Sequence, residues 1–359
     1  MDKGISVYPG LDNTHAENLG LIKEAAKLGI RRIFTSLHIP ELDKAAFQTQ
    51  LQELLTAAKA YNMDVVADVS PACLELLGLA SFDLAALKSL GLTTLRLDYG
   101  FSIQEIADLS QNHLDITLQL NASTLNEAMI QQLQEAGCQL SKLEALHNFF
   151  PRENTGLSEE FLLAKNRLLH KYGIRTGAFV PSLHKPRSPL GAGLPTLELH
   201  RETSFDFSIR HLAALESDSI FIGDSLPSQQ ELSQLAQLTD EYITLKMEPD
   251  NLSPQAKELL QHTFTTRPDE ARDVVRTCES RGYCKSLGDI LPDTTGPQPR
   301  PLGTITLDNM NYQRYQGELQ ITKCPLPADS RVNILGHLSP TEQRLLPYLP
   351  PNRQFKIVY

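Results

Sequence analysis

The feature that most limits what this chain can fold into is a repeat. From residue 4 to about residue 240, short β-branched runs alternate with longer segments of helical period, the pattern of consecutive βα units. The runs are Ile5–Tyr8, Arg32–Leu37, Asp64–Val69, Thr94–Asp98, Asp115–Leu120, Lys142–His147, Arg175–Val180 and Ser219–Gly223. Their number and spacing predict an α/β fold, a (β/α)8 TIM-type barrel of ordinary size. A doubly wound open sheet is the structural alternative, because local pattern does not report closure.

The segments between the runs carry helical faces. In Ala16–Leu28 the residues Leu19, Ile22 and Ala26 recur at three- and four-residue steps, and Gly29 supplies a stop. Glu41–Tyr61 does the same through Phe47, Leu51, Leu54, Leu55 and Ala58, and Leu90-Gly91 and Tyr172-Gly173 repeat the helix–glycine–strand ending.

After residue 240 the pattern changes. Glu241–Met247, Thr263–Arg267, Gly303–Asp308, Gly317–Thr322, Arg331–Leu335 and Gln354–Tyr359 read as short strands, with Pro292, Pro297, Pro299 and Pro301 between them. The expectation is a catalytic barrel over 1–240 and a smaller domain over 241–359, built as a small antiparallel sheet or barrel.

Composition narrows the function classes. A formal net charge of −10 disfavours nonspecific binding to nucleic acid or anionic membrane, but leaves room for a local basic pocket. The start, MDKGISVYPG, has no signal-peptide pattern, and no apolar run approaches the roughly 20 residues a membrane helix needs. Cys73, Cys138, Cys278, Cys284 and Cys324 are scattered without a CxxC pair, so reduced and mostly buried thiols in a cytoplasmic protein are expected. No HExxH, GxGxxG or Walker pattern occurs, so no metal site and no cofactor are predicted.

Strand alternation then sorts the polar residues. In Leu95-Arg96-Leu97-Asp98 the leucines face the helices, so Arg96 and Asp98 point into the barrel; Asn121 follows by the same rule, and Asp68 is the one polar side chain between Val65 and Val69. Asp68, Asp98, Asn121, Asn148 and Asp224 all fall at or just past strand ends, the catalytic face of such a barrel. Any one of them is as readily a cap or a turn residue, but their convergence on one mouth favours a site. Two carboxylates facing a common space are what glycoside hydrolysis needs, and Asp68, Asp98 and Glu198 are the candidates, with Glu144 and Asp224 in reserve. The long segment Lys185–Arg201 brings Lys185, Arg187 and Arg201 among glycines, a composition suited to an anion, although a solvated basic loop has the same look. His147-Asn-Phe-Phe-Pro-Arg152 sets Asn148 and Arg152 beside an aromatic pair, which suits sugar stacking and anion binding; the rings serve equally as core.

Several strings together resemble the MupG family of 6-phospho-N-acetylmuramidases. They are Gly4–Tyr8, Leu95–Phe101, His147–Arg152 with Thr155–Ser158, Gly193–Arg201, Arg300–Gly303, Asp308-Asn309 and Tyr312–Glu318. The resemblance spans essentially the whole chain, departing at Phe150, where a tyrosine is expected, and at Leu199, where a lysine is common. It implies a TIM-type barrel with a cyclophilin-like second domain. It further implies cytoplasmic hydrolysis of N-acetylmuramic acid 6-phosphate linked to N-acetylglucosamine, in cell-wall (peptidoglycan) recycling. A phosphorylated amino-sugar disaccharide is then the expected partner. Asp68, Asp98 and Glu198 are the expected catalytic residues. Arg96, Asn121, His147, Asn148, Arg152, Lys185, Arg187, Arg201 and Asp224 are expected to bind substrate, with Arg300, Asn309 and Arg314 lent by the second domain. The rival readings are a noncatalytic phospho-sugar sensor and a phospho-sugar isomerase or epimerase on the same barrel.

Overall fold

The computed structural model describes residues 1–37, 44–70, 82–250 and 252–359, which divide into two compact units, Met1–Leu238 and Thr239–Tyr359. The first unit is a closed parallel barrel of eight strands, each paired with its sequence neighbour and the last with the first. The strands are β1 (Asp2–Ser6), β2 (Arg32–Ser36), β3 (Asp64–Val69), β4 (Thr94–Leu97), β5 (Thr117–Asn121), β6 (Leu143–Leu146), β7 (Arg175–Val180) and β8 (Ser219–Ile222). Closure rules out the open-sheet alternative. β1 starts earlier than its apolar run suggests, because polar Asp2 and Lys3 pair with Ser219 and Ile220 where the barrel closes.

Between the strands lie α1 (His15–Lys27), α2 (Lys44–Ala60), α3 (Leu84–Leu90), α4 (Ile103–Ser110), α5 (Glu127–Glu135), α6 (Glu159–Lys171), α7 (Phe205–Ala214) and α8 (Gln229–Gln237). Their starts follow from local chemistry: Thr14 with Glu17, Ser102 with Glu105 and Ser228 with Glu231 form reciprocal capping boxes that satisfy otherwise orphaned N–H groups. At the end of α3, Gly91 adopts φ 104°, a left-handed cap that a side chain would strain. Phe47, Leu51, Leu54, Leu55 and Ala58 of α2 are all buried as their spacing predicts, whereas on α1 the buried stripe runs through Asn18, Leu21, Ile22, Ala25 and Ala26, leaving Leu19 at its edge. The first residues of the predicted second helix, 41–43, lie outside the described residues.

The barrel is filled, not hollow. Tyr8, Phe34, Val66, Leu146, Phe179, Leu194 and Phe221 form one buried cluster across its interior. A Cβ on Gly4 would sit 2.2 Å from the Phe221 ring, so the absence of a side chain there is what admits the phenylalanine.

The second unit is a seven-stranded sheet in the order β10-β15-β9-β14-β12-β13-β11. Its strands are β9 (Ile243–Pro249), β10 (Thr263–Thr265), β11 (Val274–Arg276), β12 (Thr304–Asp308), β13 (Leu319–Thr322), β14 (Val332–Leu338) and β15 (Gln354–Val358). One expectation is corrected: the sheet is mixed, because β15 returns after the whole unit to lie parallel to β9, a pairing that needs a long crossover. β11, a three-residue strand, is an addition to the strands expected from the sequence. Thiol burial is a second correction: of the described cysteines only Cys284 is buried, Cys278 is exposed, and Cys138 and Cys324 are intermediate, while Cys73 lies outside the described residues. No described helix is long and apolar enough to cross a membrane.

Candidate active site

Two polar layers cross the barrel interior. Near the strand starts, Arg32 of β2 reaches across to Glu144 of β6, with Nη1 donating to Oε2 at 3.1 Å and Nη2 to Oε1. Gln119 Nε2 donates to the same Glu144 Oε1 at 2.7 Å, and the Arg32 guanidinium lies 5.4 Å from the centre of the Phe221 ring. Burial alone would lower the Arg32 pKa, but the charge and hydrogen bonds of Glu144 outweigh it and raise it. This layer is a closed bidentate pair.

At the strand ends the second layer is built around Arg96 of β4, which is 3% exposed. Its Nη1 donates to Asp68 Oδ1 at 2.6 Å and to Asp98 Oδ1 at 3.2 Å, and its Nη2 donates to Asn148 Oδ1. Parity explains the convergence: Asp68 is the register partner of Arg96 on β3, and Asp98 stands two residues beyond Arg96, just past the end of β4, on the same face. Asn148 is fixed from behind, since its N–H donates to Ser123 Oγ at 3.3 Å and its carbonyl accepts from Thr196 Oγ1 at 2.9 Å. Asp68, Arg96, Asp98 and Asn148, with Phe34, Phe149 and Phe179, line a cavity of about 180 Å³. The three rings meet edge to face, with centroids 5.1 to 6.1 Å apart, and give the cavity an apolar wall opposite its charges. Arg96 Nε is buried and has no partner among the described residues.

The long segment after β7 is clamped to the barrel by Asp224, just past β8. Its carboxylate accepts the backbone N–H groups of Ser182 at 2.8 Å, Arg187 at 2.8 Å and Leu194 at 3.2 Å. Burial raises the Asp224 pKa, and the three N–H donors and the Arg187 charge pull the other way without cancelling it. The Arg187 guanidinium stands 4.7 Å from the centre of the Tyr8 ring and 5.1 Å from that of Phe149. Lys185 Nζ donates to Asn13 Oδ1 at 3.1 Å and lies 3.8 Å from Glu17.

Other sequence candidates have different surroundings. Arg201 spends its donors inside the protein, on Glu198 Oε1 at 2.8 Å and on the carbonyls of Ala192, Gly193, Phe150 and Arg152. Glu198 also accepts from the N–H groups of Asn154 and Gly156, each at 2.7 Å. Burial pushes its carboxyl up, but Arg201 and the two N–H groups outweigh this and hold it below the usual range, unlike a proton donor. His147 is fully buried between Ser123 Oγ and Asn166 Oδ1, both at 3.1 Å, and burial lowers its pKa to about 4. Asn121 caps the turn after β5 by accepting the Ser123 N–H at 2.9 Å. Arg152 is exposed.

In the second unit, Asn309 is buried and donates to Ser330 O and Asn333 Oδ1, Arg300 donates to the Pro327 carbonyl, and Arg314 bonds the Tyr315 hydroxyl. Burial, reinforced by Glu318 and Asp329, pushes Asp308 up to about 7. Among the described residues no group of three or more His, Cys, Asp or Glu is arranged to hold a metal. The sequence reading missed the walls: Phe34, Phe179 and Tyr8 were not singled out. The alternation that found Arg96 would have found Phe34, which shares a face with Arg32.

Comparison with known proteins adds a family. The signature described as 6-phospho-N-acetylmuramidase, N-terminal, matches residues 3–237, and its C-terminal counterpart matches residues 243–358. An uncharacterized B. cereus protein of known structure is 30% identical with a TM-score of 0.88, over 100% of this chain and 99% of that one. A conserved Enterococcus faecalis protein of unknown function is 34% identical with a TM-score of 0.72, over 100% and 96%. No curated protein matches the chain.

Proposed function

Because the chain belongs to the 6-phospho-N-acetylmuramidase family over both of its units, and is therefore a glycoside hydrolase, we propose that the Arg96 layer is where it cleaves its substrate. The family implies a substrate containing phosphorylated muramic acid; the specific reading is the disaccharide of N-acetylmuramic acid 6-phosphate and N-acetylglucosamine, cut in the cytoplasm during cell-wall recycling. The observation that carries the assignment is the pair of carboxylates, Asp68 and Asp98, held on one guanidinium nitrogen beside an aromatic-walled cavity.

The spacing supports a retaining reaction. The Asp68 and Asp98 oxygens that share Arg96 Nη1 can be no more than about 5.8 Å apart, the sum of their two contacts, a ceiling that lies below the ~6.5–9.5 Å of inverting enzymes and admits the ~5–5.5 Å of retaining ones. Asp68, with the tighter contact to Arg96 and a side chain only 13% exposed, serves as the charged group that faces the anomeric carbon or orients the acetamido group. Asp98, with the longer contact and a side chain 33% exposed, serves as the group that exchanges a proton with the leaving oxygen and then with water. Asn148 and Arg96 fix both. Glu198 and Arg201 act on this reading as positioning residues that hold the 150–157 segment.

The test is incubation with the 6-phosphorylated muramyl–glucosamine disaccharide and its unphosphorylated twin, followed by mass spectrometry and by NMR of the fresh anomer. Cleavage of the phosphorylated form with retained configuration is expected. Tight binding without cleavage would replace the hydrolase with a sensor, and an inverted product would remove the paired roles given to Asp68 and Asp98.

A further inference from the structure

We propose that Arg187 is the specificity-determining residue for the sugar phosphate, and that the slot between Tyr8 and Phe149 is where the enzyme tests for it. The proposal rests on the catalytic reading above, since it assigns one substrate group to one edge of the same mouth.

Arg96 is neutralised by Asp68 and Asp98 and bonded to Asn148. Arg201 is paired with Glu198 and covered by four backbone carbonyls. Arg152 lies exposed on the loop after β6. Arg187 differs from all three. Its guanidinium is stacked between two rings, 4.7 Å from Tyr8 and 5.1 Å from Phe149, and it makes no ion pair within 4 Å among the described residues. Its Nε is buried without a partner there. The carboxylate whose charge it feels, Asp224, has its oxygens taken by the N–H groups of Ser182, Arg187 and Leu194. Two aromatic faces orient the planar fork and exclude part of its water, leaving the side chain half-buried, while supplying no counter-charge.

Such a cation is stabilised by an anion that brings two oxygens to its free edge. Phe149 connects the slot to the catalytic cavity, because the same ring lines that cavity and contacts Arg187. A phosphate dianion fits better than a carboxylate, since it brings more negative charge and three acceptor oxygens to an edge that has no counter-charge of its own. A substrate with a neutral 6-hydroxyl would cover the remaining water of the half-buried Arg187 without pairing its charge, and that penalty is what rejects it.

The experiment is calorimetric binding of three probes to the whole protein and to the variants R187Q and R187K. The probes are N-acetylmuramic acid 6-phosphate, N-acetylglucosamine 6-phosphate and unphosphorylated N-acetylmuramic acid. R187Q is expected to weaken both phosphorylated probes by about 100-fold and to leave the third unchanged, at an unaltered melting temperature. R187K, which keeps charge but loses the fork, is expected to lose about 10-fold on the same two probes. A loss shared by the two muramic acids, with N-acetylglucosamine 6-phosphate unaffected, would assign Arg187 to the lactyl carboxylate and overturn the proposal. So would unchanged binding of all three, or a wild-type protein that does not distinguish the phosphate. None of these readouts needs turnover, so failure to cleave would sink the catalytic reading without deciding this one.

Discussion

The two arginine layers inside the barrel use the same residue types for different ends. Arg32 and Glu144 make a bidentate pair closed by Gln119, whereas Arg96 divides itself among Asp68, Asp98 and Asn148 and borders an open cavity. A buried charge whose geometry is saturated holds the fold together and has nothing left for a ligand. A buried charge that shares one nitrogen between two carboxylates at the wall of a cavity holds both where a ligand can reach them. The lesson is that a buried ion pair marks a site only when its geometry is unfinished.

The strongest way to break the comparison is Arg96→Gln. It releases both carboxylates and Asn148, so turnover should fall by roughly 10³-fold or more, and stability should drop because two partly buried carboxylates lose their cation. Steady-state kinetics with a denaturant titration reads both. If activity survives, the site lies elsewhere.

Glu144→Gln is the matched change in the lower layer. Leaving the buried Arg32 with only the 3.8 Å contact to the more exposed Asp2 should cost about 3 kcal/mol of stability, with kcat per folded molecule within about twofold of the parent. A denaturation curve beside an active-fraction assay separates the two. Comparable losses of kcat in both variants would erase the distinction between the layers.

A pH dependence sharpens it further. His147 is buried neutral with its pKa lowered to about 4, against an ordinary value of 6.5. Between those values the unfolded chain binds the proton and the folded one does not, so stability falls as pH drops from 6.5 towards 4, by up to ~3 kcal/mol at pH 4 or below. His147→Gln should flatten that slope in denaturation series run across this range. An unchanged slope would mean that other groups carry it.

The smallest effect belongs to Glu198→Gln. It weakens the charged hydrogen bonds to the N–H groups of Asn154 and Gly156 and to Arg201, for about 1–2 kcal/mol, and should change kcat only a few-fold if Glu198 positions the loop. A loss as deep as that of Arg96→Gln would return Glu198 to the chemistry.

Much of this was legible in the sequence, and the reason is periodicity. The barrel was readable because eight βα repeats each leave a strand signal, with a glycine stop at Gly29, Gly91 and Gly173, and parity put Arg96, Asp98 and Asp68 inside. What periodicity does not report is who meets whom across the barrel. Arg201 and Glu198 read as anion and acid candidates because both lie in a glycine-rich segment; that they pair with each other three residues apart is decided by the fold of that segment. His147 lies next to Asn148 in the chain, yet consecutive residues at a strand exit face opposite ways, one into the helix layer and one into the cavity. The mixed sheet of the second unit was missed for a related reason: whether β15 pairs parallel or antiparallel is a matter of topology, not of composition.

The central claim is that the open layer performs the cleavage, and Asp98→Asn tests it most directly. Turnover of the 6-phosphorylated disaccharide and its binding by calorimetry are measured on one sample of this variant beside the wild type. The account predicts affinity within a few-fold of wild type and a rate lower by roughly 10³-fold, because binding survives while proton exchange is lost. An Asp98→Asn protein that cleaves at the wild-type rate would contradict it.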